Sequence, residues 1–368
     1  MANNKNSSTS DQNNDMVLES AKLTRTPQMS LFEILDPRPR ADSGPYSNTI
    51  EFYDSLPKYS WEAQREFKDL KNAILTRRCV LRGIEFTAII KPAIIRKPDG
   101  STVLIYPGPR EELLEDALRK LAVSGNGAII EGRAGVTFTL YQLQQELAST
   151  GHSYNLNEIK EAIQVCRGAT LECQQIDGES YISSSFFPMV GLTTRGDFLK
   201  KGGNARCYVQ FSPMVDSSIQ SLTFRQFNYR LSMGIKSPLA RFLFKRMSHY
   251  YVQASEKNPY TPSLVSFLSQ SPRVPSPRMP ENIRAMKNAL DILVEHEVIE
   301  RYEANPAKKG RKTLDVYYVI YPHPTFIKDA IIANKKAKLI KLRAVENSVI
   351  DHDIFEDFNV EALPDTFE

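Results

Sequence analysis

Lys308, Lys309, Arg311 and Lys312 place four cations around a single glycine, Gly310. Charge of that density suits a polyanion whose phosphates recur at short intervals. Upstream, Arg284 and Asn288 stand four residues apart, one turn of a helix. Their side chains are the ones that match guanine and adenine edges with paired hydrogen bonds. Arg278 before them and Lys287 between them are further cations. A third set, Asn157, Lys160, Gln164 and Arg167, recurs at three- and four-residue spacing, so one helix face would carry all four. As chemistry these groups could grip double-stranded DNA, the glycine-centred tip holding phosphate and the helices addressing base edges. Each set also has a plainer reading, as a solvated helix face or a surface hairpin, and spacing alone leaves both open.

Covalent and metal chemistry finds no comparable pattern. Neither Gly132 nor Gly203 leads into the Gly-Lys-Ser/Thr run that cradles nucleotide phosphates. The histidines, at 152, 249, 296, 323 and 352, form no pair around an apolar residue, and His296-Glu297 lacks the second histidine of a zinc protease motif. Tyr250 and Tyr251 fall on the apolar stripe of a helix and read as core rather than as nucleophiles. Cys79, Cys166, Cys173 and Cys207 make no CxxC and fit a reducing compartment. The carboxylates Glu111, Glu112, Glu115 and Asp116 sit in the first half of a helix, where negative charge suits the dipole. The expectation is a protein with no catalytic residue, no metal ligand and no cofactor, hence not an enzyme.

These side chains need elements to position them. The chain has 368 residues, 41% of them hydrophobic, and a net charge of +4. That total conceals an asymmetry, because residues 351–368 hold seven acidic residues and no Lys or Arg, while cations collect between 195 and 343. No apolar run reaches bilayer length, so a soluble, cytoplasmic protein without membrane contact is expected. Residues 1–44 are rich in Asn and Ser, then in Pro, and read as a disordered leader. Strand-like runs at 87–96 and 102–106 flank a Pro-Asp-Gly turn, and 109–123 reads as a helix opened by proline. Helices at 139–148 and from Asn155 to Gly168 follow, then a hairpin over 169–183 with an acidic tip and a basic loop at 195–206. A helix from Ser237 to about 254 has a stripe of Leu239, Phe242, Leu243, Met247, Tyr250 and Tyr251, with Arg241, Lys245 and Arg246 toward the other side. Beyond a boundary near 256 come helices at 262–269 and 280–297, strands at 298–302 and 313–321 around the basic tip, and a cationic helix at 324–344. In the helix at 280–297, Ile283, Met286, Leu290, Leu293 and Val294 cluster, and Ile292 falls on the polar side without a reason visible in the sequence.

Helix, helix and hairpin occur in that order twice. The fold class expected is α+β: two tandem winged-helix domains with a disordered N-terminal leader and an acidic C-terminal tail. The divisions are 1–44 for the leader, 45–256 for a first winged helix with an added β-rich section, 257–345 for a second and main DNA reader, and 346–368 for the tail. The first module's second helix has two uses open to it, reading DNA or packing in a dimer.

Three stretches resemble the replication initiator (Rep) proteins of theta-replicating bacterial plasmids, the tandem winged-helix type. They are Arg206-Cys-Tyr-Val-Gln-Phe-Ser-Pro-Met-Val215, Ser237-Pro-Leu-Ala-Arg-Phe-Leu-Phe-Lys-Arg-Met247, and Lys308-Lys-Gly-Arg-Lys312 with the strand after it. The section 46–106 has no counterpart in the resemblance. What the resemblance implies is binding to direct repeats at an origin, opening of adjacent AT-rich DNA, recruitment of a host initiator and helicase, and a homodimeric form that represses its own gene. Two other readings share some of these parts: a winged-helix transcriptional regulator and, with less support from motifs, a DNA-processing enzyme.

Overall fold

The computed structural model describes residues 46–61, 66–67, 73–81, 84–97, 99–176, 181–193, 206–220, 222 and 224–346. The expected leader and acidic tail, the first hairpin's tip and the loop at 194–205 lie outside the described residues.

Alternating apolar residues and a well-placed proline build the first elements. β1 (Tyr46–Ile50) and α1 (Glu51–Ser55) precede β2 (Glu66–Phe67), β3 (Leu75–Leu81), β4 (Ile84–Lys91), β5 (Ala93–Arg96) and β6 (Thr102–Ile105). Pro92, which has no N–H to donate, separates β4 from β5. β5 and β6 then pair as the expected hairpin, with Gly100 at φ +85°. α2 (Pro109–Leu121) starts on that proline, and the Glu111 carboxylate accepts the Gly108 N–H at 2.8 Å. β7 (Gly127–Ile130), β8 (Arg133–Phe138), α3 (Leu140–Ser149), α4 (Leu156–Gly168), β9 (Thr170–Gln175) and β10 (Tyr181–Ser185) follow. The first module closes with β11 (Val190–Gly191), β12 (Cys207–Gln210), α5 (Pro213–Gln220), β13 (Phe224–Asn228), α6 (Tyr229–Gly234) and α7 (Pro238–Tyr250).

The N-terminal strands do not form a separate unit. β4 pairs antiparallel with β9, giving a four-stranded sheet in the order β10-β9-β4-β3. The hairpin after α4 is thus widened into a sheet by residues that have no counterpart in the family resemblance. β1 pairs with β13 and fixes the start of the described chain beside the end of the module.

The second module contains α8 (Leu264–Gln270), α9 (Met279–Glu295), β14 (Ile299–Lys309), β15 (Lys312–Pro322) and α10 (Pro324–Glu346). Bridges from Tyr260 to Ile320 and from Ser263 to Tyr317 lay the segment before α8 against β15 as a third strand. Helix, strand, helix-turn-helix and hairpin are the parts of a winged helix. They occur here as α7, this bridging segment, α8, α9 and β14–β15. The same series occurs earlier as α2, β7–β8, α3, α4 and β9–β10.

α7 corrects the sequence expectation most sharply. Arg241, expected on a polar side, is 1% exposed, and Lys245 is held between two carboxylates. Arg241 Nε lies 3.2 Å from Glu112 Oε1, and its Nη1 donates to the Ile235 carbonyl at 2.9 Å. Lys245 bonds Asp116 and stands 3.6 Å from Glu112. The α2 carboxylates are likewise buried rather than solvated at a helix start. Glu115 receives Arg119 at 2.6 Å and the Tyr59 hydroxyl, while Arg119 also bonds Asp54 at 2.8 Å. Burial alone would raise the Glu112, Glu115 and Asp54 carboxyls. The adjoining cations outweigh it and hold all three below the usual carboxylate range, whereas burial leaves Asp116 raised.

Aromatic rings flank the ion-paired face of α7 on both sides. Phe242 meets Phe267 of α8 at 5.7 Å between ring centres, and Phe244 meets Phe326 of α10 at 6.3 Å. One helix therefore joins both modules, by ion pairs to α2 and by rings to the second module. The buried apolar residues form one continuous cluster. The four cysteines lie in it as buried thiols.

Candidate nucleic-acid interface

The first reader is set by local chemistry. Thr139 caps α3, its hydroxyl accepting the Gln142 N–H at 3.0 Å. Gly151 turns the chain at φ +87°, a conformation costly for residues with a Cβ. Asn155 caps α4 by accepting the N–H groups of Asn157 and Glu158 at 2.9 and 3.0 Å, and Glu158 returns a bond to the Asn155 N–H at 2.7 Å. This reciprocal box fixes where the helix begins and which face turns inward. Ile159, Ala162, Ile163, Val165 and Cys166 are buried. Asn157, Gln164 and Arg167 are exposed and Lys160 half-buried. At about 100° per residue these four span an arc of about 80°, so they share one face.

One flank of that helix is taken by the added N-terminal section. A Cβ on Gly168 would stand 3.0 Å from the Ala93 Cβ, which shows how closely α4 approaches β5. Glu161 then binds Lys97 at 3.1 Å and Arg110 at 3.0 Å. β5 thus buttresses α4 from the side and leaves the Asn157–Arg167 face exposed. The acidic tip expected on the first wing falls at residues outside the described ones.

In the second reader, the approach to α9 is locked by one buried side chain. Asn282 accepts the Ser276 N–H and donates to the Ser276 carbonyl, both at 2.8 Å. Arg278 is the residue before the helix, with its side chain 82% exposed. Met286, Ala289, Leu290 and Leu293 are buried, while Arg284, Lys287 and Asn288 face solvent. Val294, expected in the core, is 38% exposed. Ile292, unexplained from sequence, packs half-buried against the core. The solvent face changes sign along its length. Arg284, Lys287 and Asn288 occupy its first half, Asp291 and Glu295 its second. Asp291 takes Lys287 at 2.8 Å and accepts the Tyr302 hydroxyl at 2.6 Å, tying α9 to the base of the wing. The Lys287 bond leads the causes that hold the Asp291 carboxyl low. The cations of that face thus lie toward the N-terminal half of α9, the half that meets base edges in helix-turn-helix docking. This Tyr302–Asp291–Lys287 chain was not anticipated. Its sequence signal is the Lys–Asp spacing of four, a pair too common on helices to stand out.

The wing is longer than the sequence suggested. Its strands run to Lys309 and from Lys312, eleven residues each, with Lys309 opposite Lys312. At about 3.3 Å per residue the hairpin reaches roughly 35 Å. Pro306 interrupts the strand propensity of residues 303–307, yet it is tolerated because β14 is an outer strand, paired among the described residues with β15 on one edge. Gly310, at φ +62°, makes the turn with Arg311. Lys308, Lys309, Arg311 and Lys312 are all exposed, and none has an ion-pair partner among the described residues. Toward the tip, Asp315, which stands opposite Ala307, accepts the Ser263 hydroxyl at 2.5 Å and the Val265 N–H at 3.0 Å, so the wing is fixed to α8 partway along its length.

The structure places the sequence-predicted groups on two outward helix faces and one basic wing tip. Among the described residues no helix is long and apolar enough to cross a membrane.

No family model and no curated protein matches the chain. Among solved structures, it is similar to domains 2 and 3 of RctB, at 9% identity and a TM-score of 0.44, covering 77% of this chain and 99% of that one. A selenomethionine derivative of the same two domains matches at 10% identity and 0.42, over 74% and 96%. The Pi initiator protein in complex with iteron DNA matches at 12% identity and 0.39, over 58% and 94%.

Proposed function

We propose that the chain is a sequence-specific double-stranded DNA-binding protein that initiates replication. In this reading it binds repeated sites at an origin, promotes opening of adjacent DNA and recruits a host initiator and helicase. The observation that carries DNA binding is the pairing of Arg284, Lys287 and Asn288 on a solvent-facing helix with four exposed cations on the attached wing. The first reader, with Asn157, Lys160, Gln164 and Arg167, supplies a second contact on the same core. Two readers joined by a shared helix suit a long or repeated site better than a single short one. The initiation role rests on the sequence resemblance. No catalytic step is assigned to the chain in this reading.

Footprinting with strand-opening detection tests it. Several phased, directly repeated protected segments with nearby permanganate-reactive bases are expected. Protection of one inverted repeat without opening would assign the chain to transcriptional regulation. Metal-dependent cleavage of supercoiled DNA would assign it to DNA processing.

A further inference from the structure

α10 carries a face that neither reader uses. Its inner side holds Phe326, Ala330, Ala333 and Ile340, all buried. Asp329 anchors it, accepting the Tyr46 hydroxyl and the Asn228 amide, each at 3.0 Å. The outward side is not simply polar. Ile331, Ile332, Leu339 and Leu342 are 46%, 44%, 41% and 52% exposed. At about 100° per residue they fall within an arc of roughly 100°, and Lys328, Lys335 and Lys338 fall in or beside it. These lysines are not buried and have no ion-pair partner among the described residues. A solvated helix face gains nothing from four aliphatic side chains, and contiguous apolar surface of this kind marks an interaction site.

The aliphatics suit an apolar partner, and the lysines between them suit an acidic one. DNA phosphate meets only the second requirement. One stretch of the chain's own sequence meets both. Residues 349–363 interleave Val349, Ile350, Ile354, Phe355, Phe358, Val360 and Leu363 with Asp351, Asp353, Glu356, Asp357 and Glu361, and contain no Lys or Arg. They follow α10 directly in the chain. The face from Lys328 to Leu342 is about 21 Å long at roughly 1.5 Å per helical residue. Ten extended residues reach about 33 Å at roughly 3.3 Å each. Reach is therefore no obstacle to folding back.

We infer that the acidic, apolar segment after residue 346 docks in cis on the outward face of α10. Its carboxylates pair with Lys328, Lys335 and Lys338, and its apolar side chains cover Ile331, Ile332, Leu339 and Leu342. Docking makes the segment an internal competitor for any other acidic ligand of that helix, DNA included.

Zero-length carbodiimide cross-linking of the full chain, read by mass spectrometry, tests this. Cross-links from Lys328, Lys335 or Lys338 to Asp351, Asp353, Glu356 or Asp357 are expected, with a yield that dilution does not change. In an equimolar mixture of unlabelled and nitrogen-15-labelled chains, each link should join peptides of one isotope. The Phe355→Ser, Phe358→Ser variant, which alters no residue of α10, should lose these links. Absence of the links in the unaltered chain would overturn the inference. So would mixed-isotope links, which would make a second copy the occupant. Persistence of the links in the Phe355→Ser, Phe358→Ser variant would equally overturn it, since apolar docking would then play no part. Tight binding to anionic vesicles without the links would assign the face to a lipid surface and overturn it as well.

Discussion

Removing the four cations of the wing tip should change how DNA binding depends on salt far more than which sequence is bound. Lys308, Lys309, Arg311 and Lys312 are exposed at the end of a long hairpin, and Gly310 alone takes the strained φ of the turn. Replacing the four by Ser and keeping Gly310 therefore leaves the hairpin intact. Each phosphate neutralised by a cation contributes about 0.9 to the slope of log K against log salt. Without these four charges the slope should flatten by up to about 3.6. Between 50 and 200 mM salt, a change of that size means the unaltered chain loses roughly 150-fold more affinity than the variant does. The assay is fluorescence anisotropy on a specific and a scrambled duplex across a salt series. Both duplexes should show the same flattening, because phosphate carries no sequence information. An unchanged slope, or a weakening confined to the specific duplex, would refute the assignment of the tip to phosphate.

Other perturbations separate the roles of the remaining parts. Arg284→Ala or Asn288→Ala should each cost about 1–3 kcal/mol on the specific duplex, with relaxed preference at one base position, as scored by a panel of single-base variants. Arg241→Met should destabilise the fold by about 3–5 kcal/mol in urea titrations, since it strips Glu112 of its main buried partner. Adding Glu112→Leu to that variant should recover much of the loss, because the uncompensated charge is then gone. Asp54, Glu112 and Glu115 have folded pKa values below their unfolded ones, so their contribution is complete above the ordinary carboxylate range. It should be lost progressively as pH falls below about 5, with the Asp54 share persisting to the lowest pH, seen as a falling urea midpoint, and with Asp116 opposing in part because burial raises its pKa.

Much of the local structure was legible in the chain. The Asn155 and Ser237 starts of α4 and α7, the Pro109 start of α2 and the Gly310 turn are short-range signals, and the elements they announce begin where those signals put them. That Asn157, Gln164 and Arg167, and likewise Arg284 and Asn288, face outward together was legible for the same reason, since a helix period decides which side chains point together. Val294 and Ile292 were misplaced because a periodic pattern gives the direction of a side chain but not how far the neighbouring elements extend. The wing's length was hidden by Pro306, whose effect on a strand depends on whether that edge is paired.

The sequence by itself determined where helices and turns begin, which residues share a face, and that cations concentrate at one hairpin tip. Each of these follows from interactions within a few residues. Only the tertiary structure decided that Arg241, Lys245 and the α2 carboxylates are buried against one another. It also decided that β3 and β4 extend the first wing, and that α7 serves both modules. A charged helix face looks the same in sequence whether it meets water or an oppositely charged helix more than a hundred residues away. The choice is made by long-range packing, in which complementary charges replace the solvent each would otherwise keep.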